Sequence, residues 1–165
     1  MKTPVCDADV RSGQLCAECR KKLEAGKITE LDFEVAKILC GINERYNITG
    51  ASFHKALDLG RVVLILTQGE VGLLIGREGK IVGEISSALG KKVRIAEEQG
   101  DVKKTIADII MPARLLGINR VFHEGREVTK VRLSRHDMAH LPFDIATLEK
   151  VLQHLLEDEV MVVFE

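Results

Sequence analysis

The sequence has 165 residues, which is room for one ordinary domain or two small ones. Apolar residues make up 45% and charged residues 30%, proportions that are typical of soluble globular proteins and exclude disorder, collagen-like repeats and a disulfide-dense secreted fold. Because 24 Lys and Arg balance 25 Asp and Glu, a nucleic-acid partner has to be met by a local basic patch.

No part of the sequence predicts a membrane span. A transmembrane helix needs roughly 20 consecutive apolar residues, and the longest apolar runs, 62–66 and 160–164, have the length of buried strands. The first residues carry no apolar signal region. We therefore expect a cytoplasmic protein, in which cysteines serve metal sites or the core more often than disulfides.

Three of the four cysteines lie within the first 19 residues. With one aspartate they form two pairs of equal spacing, Cys6-x-x-Asp9 and Cys16-x-x-Cys19. This spacing lets one tight turn present both ligands to the same tetrahedral ion, so the pairs predict a structural Zn²⁺ in segment 1–27. The segment is too short to bury a core alone, which favours a metal. Two alternatives stay open: Cys40 in place of the unusual ligand Asp9, and a cluster of free thiols.

Residues 28–99 predict the element order α-β-β-α-α-β. Thr29 is a suitable N-cap for a helix whose apolar residues recur with the helical period, and the strand-like runs 52–58 and 61–67 predict a hairpin. The later predicted elements are a short apolar turn at Val71–Ile75, a helix at Lys80–Leu89 ended by Gly90, and a strand at Lys92–Glu97.

Residues 100–165 predict nearly the same order. The elements are a helix from Asp101 to about residue 110, strands at 119–123 and 128–134, a helix from Asp144 to about residue 157, and a strand at Val160–Phe164. Segment 136–141 is the candidate for the small middle helix. A shift of 67 residues places Ile81 on Leu148 and Val93 on Val160, which predicts a duplicated module.

The most specific local feature is the loop Gly76-Arg77-Glu78-Gly79-Lys80 between two short helices. Two glycines let the backbone turn sharply and leave no Cβ to hold a ligand away, so a sugar-phosphate chain can approach closely. The loop also opens a helix, whose free N–H groups attract anions, and the two cations add charge-assisted contacts. The alternative is a helix–loop–helix turn with convenient glycines and no ligand.

The run from Val71 to Lys80, with its flanking strands and helix, resembles a type II KH domain. The stretch Ile48-Thr49-Gly50-Ala51-Ser52, the glycine loop and the linker 101–113 are similar to the archaeal NusA-like proteins, which carry tandem KH domains. The resemblance covers roughly residues 28–165 and is strong in the first unit only. It implies an α+β protein with a zinc-knuckle-like segment at 1–27, a KH domain at 28–99 and a second, degenerate KH domain at 100–165. Some relatives carry a knuckle with cysteine at the position of Asp9.

In KH domains the loop clamps the backbone of about four nucleotides while an adjoining groove reads the bases. The resemblance therefore implies that the clamp consists of Gly76, Arg77, Glu78, Gly79 and Lys80. It also implies that the wall of the groove is formed by three residues of the following strand, Lys92, Arg94 and Ile95. Tyr46 is the only tyrosine and tryptophan is absent, so base contacts are expected to be mostly aliphatic.

The second unit lacks these features. At the equivalent offset it has Phe143-Asp144-Ile145-Ala146, with side chains where glycines are needed and a carboxylate where phosphate would lie. Segment 137–165 holds seven acids and one base, against five acids and six bases in 61–98. We expect RNA to avoid this unit, whose acidic face is either simply solvated or a docking surface for a basic partner.

No enzyme is predicted. His136-Asp137-x-x-His140 suits a metal only superficially, because no third ligand is apparent, and no nucleophile elbow or Walker loop is present. The leading hypothesis is a non-catalytic protein that holds single-stranded RNA in transcription elongation or termination, with RNA polymerase as a partner. The alternatives are an accessory factor of ribosome maturation or RNA decay that binds structured RNA, and a scaffold whose KH folds have lost nucleic acid.

Overall fold

The computed structural model describes all 165 residues. The chain forms two compact units, Met1–Glu98 and Gln99–Glu165, and each contains one three-stranded sheet with helices. The predicted α+β class is confirmed. No helix combines the length and the apolar character needed to cross a membrane.

The first unit contains five helices and three strands. They are α1 (Asp7–Ser12), α2 (Ala17–Glu24), α3 (Glu30–Tyr46), β1 (Phe53–Asp58), β2 (Val62–Thr67), α4 (Val71–Ile75), α5 (Lys80–Leu89) and β3 (Lys92–Glu97), with a 3₁₀ turn at Arg77–Gly79. The sheet order is β1-β2-β3, with β1 antiparallel and β3 parallel to β2. The predicted order of elements in 28–99 is therefore confirmed from α3 to β3.

Local chemistry explains where these elements begin. Thr29 caps α3 in a capping box: its hydroxyl accepts the Asp32 N–H, and the Asp32 carboxylate accepts the Thr29 N–H. The second strand is central and parallel on one side, and its residues are almost all buried, which explains the continuous apolar run in its sequence. Gly90 adopts the left-handed conformation that ends α5.

The N-terminal segment shares the core of the first unit. The backbone of Lys2 accepts the Phe53 N–H at 2.8 Å and donates to Ala51, which ties the chain start to β1. Val5, Val10 and Cys19 are buried in the same cluster as the apolar face of α3. Segment 1–27 is thus part of the first unit and not a separate body.

The second unit repeats the sheet arrangement of the first. Its elements are α6 (Val102–Ile110), β4 (Leu115–His123), β5 (Arg126–Leu133), a 3₁₀ turn at Arg135–His140, α7 (Ile145–Leu156) and β6 (Val160–Phe164). The sheet order is β4-β5-β6, again with one antiparallel and one parallel pair. The 3₁₀ turn stands where the small middle helix was predicted.

Candidate functional site

Four potential metal ligands converge in the N-terminal segment. The ligand atoms of Cys6, Asp9, Cys16 and Cys19 all lie within 4.8 Å of one another. The two pairs occupy equivalent positions, since Cys6 and Cys16 are the N-caps of α1 and α2, and their partners lie three residues later in the first helical turn. The repeated spacing in the sequence therefore brings all four residues together, as predicted.

The distances between these atoms suit one tetrahedral ion. A zinc–sulfur bond of about 2.3 Å implies sulfur–sulfur separations of about 3.8 Å in a tetrahedron, and the Sγ atoms of Cys6 and Cys16 are 4.0 Å apart. Asp9 Oδ2 accepts the Cys16 N–H at 2.9 Å, and a carboxylate retains further lone pairs for a metal. The residues present therefore fit a metal ion.

The potential ligands of the cluster differ in the direction in which their pKa values are shifted. The Cys16 N–H, followed by contacts with the neighbouring thiols, lowers the pKa of Asp9 to about 2, so this carboxylate is charged at neutral pH. Burial raises the pKa of Cys19 to about 12, and a thiol must lose its proton before it binds a metal. Cys6 and Cys16 are exposed, whereas Asp9 and Cys19 are buried. A cation entering from solvent would meet the two exposed thiols first.

Cys40 does not belong to this cluster. It lies on α3, half-buried against the core, outside the group of converging ligand atoms. The alternative in which Cys40 replaces Asp9 as the fourth ligand is therefore wrong for this structure.

The glycine loop has the backbone conformation that its sequence predicts. Gly76 and Gly79 have φ values of 74° and 75°, and Glu78 lies between them at φ 55° with its side chain exposed. A Cβ atom on Gly76 would clash with the side chain of Ile81 and lie 2.9 Å from its backbone nitrogen, whereas one on Gly79 would lie 3.7 Å from Val82. Gly76 is thus required by packing, and Gly79 only by its backbone angle.

The loop amides are less available to an anion than the sequence suggests. The Gly76 N–H donates to Gly72, the Gly79 N–H to Gly76, and the Lys80 N–H to Arg77. These three amides are satisfied within the protein. Phosphate would therefore be met mainly by the exposed side chains of Arg77 and Lys80, with the glycines permitting close approach.

A cleft of about 380 Å³ opens beside the loop. We call it the Tyr46 cleft. The residues that line it are Tyr46, Asn47, Ile48, Gly72, Leu73, Gly76, Arg77, Lys80 and Ile81. The Tyr46 side of the cleft comes from the end of α3, far from the loop in sequence. Tyr46 is 37% exposed, and the Lys80 Nζ atom lies 5.0 Å from the centroid of its ring. Sequence reasoning missed this tyrosine, whose only signal was its position near the end of a helix.

Glu84 on α5 fixes the tyrosine ring. Its carboxylate accepts the Tyr46 hydroxyl at 2.7 Å and pairs with Arg45 at 2.7 Å. The Tyr46 hydrogen bond, together with the positive charges of Arg45 and Lys80, lowers the pKa of Glu84. The carboxylate is therefore ionised at neutral pH and joins the end of α3 to the helix that follows the loop.

The strand residues expected to form a groove wall do not share one surface. Lys92 is exposed and Arg94 is half-buried, whereas Ile95 packs against the core of the first unit. Successive side chains of a strand point to opposite faces of a sheet, so Ile95 lies on the face opposite to the two cations. The structure therefore brings together the loop residues but not the three residues of β3.

The turn of the second unit is closed to an anion. Phe143 is buried, and Asp144 caps α7 by accepting the Thr147 N–H at 2.7 Å. The carboxylate thus occupies the helix terminus where the first unit has an uncapped glycine, Gly79.

The acidic residues of 137–165 are largely engaged within the second unit. Five of the seven accept hydrogen bonds from its own donors: Asp137 from Arg114, Asp144 from Thr147, Glu149 from Val162, Asp158 from Thr129, and Glu165 from Arg132. His136 and His140 are exposed on the 3₁₀ turn, and the pKa of Asp137 beside them is lowered by its hydrogen bond to Arg114. Much of this acidity therefore serves the unit's own structure.

Comparisons with known proteins inform the fold only. No known protein-family model and no curated protein sequence matches the chain. Its structure is similar to the crystal structure of APE1850, with a TM-score of 0.56, 23% identical residues, and coverage of 77% of this chain and 96% of that one. At this level of identity the likeness shows a related arrangement of elements.

Proposed function

We propose that this protein binds single-stranded RNA through the glycine loop of its first unit, as a relative of the archaeal NusA-like proteins with two type II KH domains. The supporting observation is the loop itself: two left-handed glycines between short helices, two exposed cations, and an adjoining cleft. The α-β-β-α-α-β order and the parallel pairing of β2 with β3 are consistent with such a domain.

The side chains of Arg77 and Lys80 carry the phosphate contact in this proposal. Both are exposed beside the same cleft, whereas the turn of the second unit presents Asp144 instead. A single-stranded RNA therefore engages the first unit. The net charge of −1 gives little long-range attraction, so the contact is local.

The test uses charge at Gly79 and leaves Gly76 unchanged. Any side chain at Gly76 would collide with Ile81, so a variant at this position could lose RNA binding only because it no longer folds. Gly79→Asp and Gly79→Asn have nearly the same shape and the same left-handed backbone, and they differ in charge. Gly90→Asp places the same carboxylate at a left-handed glycine at the other end of α5, where a Cβ meets nothing within 4 Å.

Binding is measured by fluorescence anisotropy with a labelled single-stranded RNA of about 12 nucleotides, long enough to span the about four that a KH loop clamps. Gly79→Asp is expected to weaken binding at least about tenfold, which corresponds to about 1.4 kcal/mol. Gly79→Asn and Gly90→Asp should stay within a few-fold of the unmodified chain. Equal affinities for Gly79→Asp and Gly79→Asn would contradict a phosphate contact at the loop.

We propose transcription elongation or termination as the setting, with RNA polymerase as a partner. Cross-linking in cells followed by sequencing of the bound RNA tests this setting. Enrichment of nascent transcripts is expected, whereas enrichment of ribosomal RNA would assign the protein to ribosome maturation instead.

We also propose that the ion held by Cys6, Asp9, Cys16 and Cys19 is a structural Zn²⁺. Three thiolates and one carboxylate form a donor set that suits zinc, and the ion would hold α1 and α2 together. Elemental analysis of the purified protein should find one zinc per chain. Cys16→Ser is expected to lose it and Cys40→Ala to retain it, because Cys40 lies outside the cluster.

A further inference from the structure

We infer that the Tyr46 cleft is a nucleobase-binding site, in which a base of the bound RNA strand stacks on the ring of Tyr46 next to the nucleotide whose phosphate meets the loop. This inference rests on the proposed RNA binding and specifies a surface for it. No residue of β3 lines the cleft, so the site is distinct from the groove expected on that strand.

The lining of the cleft matches the chemistry of a nucleotide. Ile48, Leu73 and Ile81 provide an apolar wall, and Gly72 and Gly76 leave backbone without side chains. The cations Arg77 and Lys80 line the same cleft. An apolar and aromatic recess with cations beside it suits a flat base joined to an anionic phosphate, and a purely apolar partner would leave those cations unused.

The ring of Tyr46 is available for stacking at low cost. Two cations lie over it, with the Lys80 Nζ atom 5.0 Å and the Arg45 Cζ atom 5.5 Å from the ring centroid, and a cation–π contact at an exposed site is weak. Stacking of a base on an aromatic side chain is the stronger of the two contacts. A base can therefore replace the ammonium group over the ring, which frees Lys80 to meet the adjoining phosphate.

The orientation of the ring is set before RNA arrives. The Tyr46 hydroxyl donates to Glu84 at 2.7 Å, and the same carboxylate pairs with Arg45. A ring that is already held loses little further conformational freedom when a base stacks on it.

The test compares Tyr46→Phe, Tyr46→Leu and Tyr46→Ala in the complete chain, with the same labelled RNA of about 12 nucleotides. Phenylalanine keeps the aromatic face, leucine keeps only apolar bulk, and alanine keeps neither. Loss of the stacking contact predicts about 5- to 150-fold weaker binding for the leucine and alanine variants. Tyr46→Phe should stay within about twofold. Phe122→Ala is the matched control, because Phe122 is an aromatic of the second unit and 82% exposed.

The chain supplies its own optical reporter. It has one tyrosine and no tryptophan, so tyrosine emission comes from the cleft alone. Addition of unlabelled RNA should quench this emission in the unmodified chain but not in Gly79→Asp at the same concentration.

The outcomes separate the two proposals. If Tyr46→Ala binds as tightly as the unmodified chain while Gly79→Asp does not bind, RNA binding stands and the base site is overturned. Equal weakening by the phenylalanine and alanine variants would also overturn it, since the aromatic face would then not matter. If the unmodified chain binds no RNA, the proposed function and the base site are both rejected.

Discussion

Asp32 is the residue that joins the first long helix to the sheet. Its side chain is 1% exposed, and its carboxylate accepts the Thr29 N–H at 2.9 Å and the Ala56 N–H of β1 at 2.7 Å. One carboxylate thus completes the start of α3 and satisfies a buried backbone donor on the neighbouring strand. The short side chain reaches both because β1 lies against the first turns of the helix.

Asp32→Ala is expected to lower the free energy of unfolding of the first unit by about 2–4 kcal/mol. Loss of the capping contact costs about 1 kcal/mol, and leaving the Ala56 N–H buried without an acceptor costs about 1–3 kcal/mol. Urea unfolding followed by Tyr46 emission measures the change, because the only tyrosine lies in this unit.

Thr29→Ala is the matched control for this prediction. It removes the other half of the capping box and leaves the Ala56 contact in place, so it should cost only about 1 kcal/mol. Equal destabilisation by both substitutions would show that the bond to β1 contributes nothing.

The candidate sites differ in how well their residues could be predicted from the sequence. The metal ligands were predictable because two turns of equal spacing carry them, so each pair is local. The glycine loop was predictable because its residues are contiguous in the sequence. Tyr46 was not, because it reaches the loop only through the packing of α3 beside α5. The sequence did not show that Ile95 and the two cations of β3 take opposite faces, since residue type alone does not tell which face of a strand a side chain takes.

At the scale of elements, the contact between the end of α3 and α5 depends on the charge of Glu84. The pKa of this carboxyl is lowered, so its stabilising contacts with Tyr46 and Arg45 are present at neutral pH. They are lost as the pH falls through that lowered pKa, when the carboxylate gains a proton. The two helices should therefore separate locally only in acid.

Tyr46→Phe is expected to raise the pKa of Glu84 towards its ordinary value of about 4.3, because the largest stabilising contact of the ionised form is removed. A carbon-detected NMR titration of the carboxyl group measures the midpoint. Asp58, at the end of β1, is an internal control. Its pKa is lowered by its hydrogen bond with Lys91 and not by Tyr46, so it should not change. An unchanged midpoint for Glu84 would contradict the role assigned to the tyrosine hydroxyl.

The helix boundaries agree with the predicted ones where a capping residue marks them in the sequence. Thr29, Asp101 and Asp144 cap the helices that they were predicted to begin. The fourth strand departs from the prediction: it begins at Leu115 and not at residue 119. A register shift between Leu115 and Gly117 interrupts its alternation of side chains, so the start of the strand has no periodic pattern to reveal it.

At the scale of the whole molecule, the four potential metal ligands belong to one unit only. Cys19 is buried in a core that consists of residues from the first unit, among them Val10, Val35 and Leu39. An ion that binds the folded chain and not the unfolded one stabilises the fold that presents its ligands. The proposed Zn²⁺ should therefore stabilise the first unit selectively.

If the proposed Zn²⁺ is bound, its removal with a chelator is expected to speed hydrogen exchange in α1, α2 and the start of α3, while the amides of β5 and α7 in the second unit stay protected. For an ion present at 100 times its Kd, the lost stabilisation is about 2.7 kcal/mol, or roughly 100-fold faster exchange through opening of the site. Mass spectrometry of peptides from each unit measures the difference. Cys16→Ser should reproduce the effect without chelator, and Cys40→Ala should not. Equal acceleration in both units, or none in the first, would contradict a structural ion at this cluster.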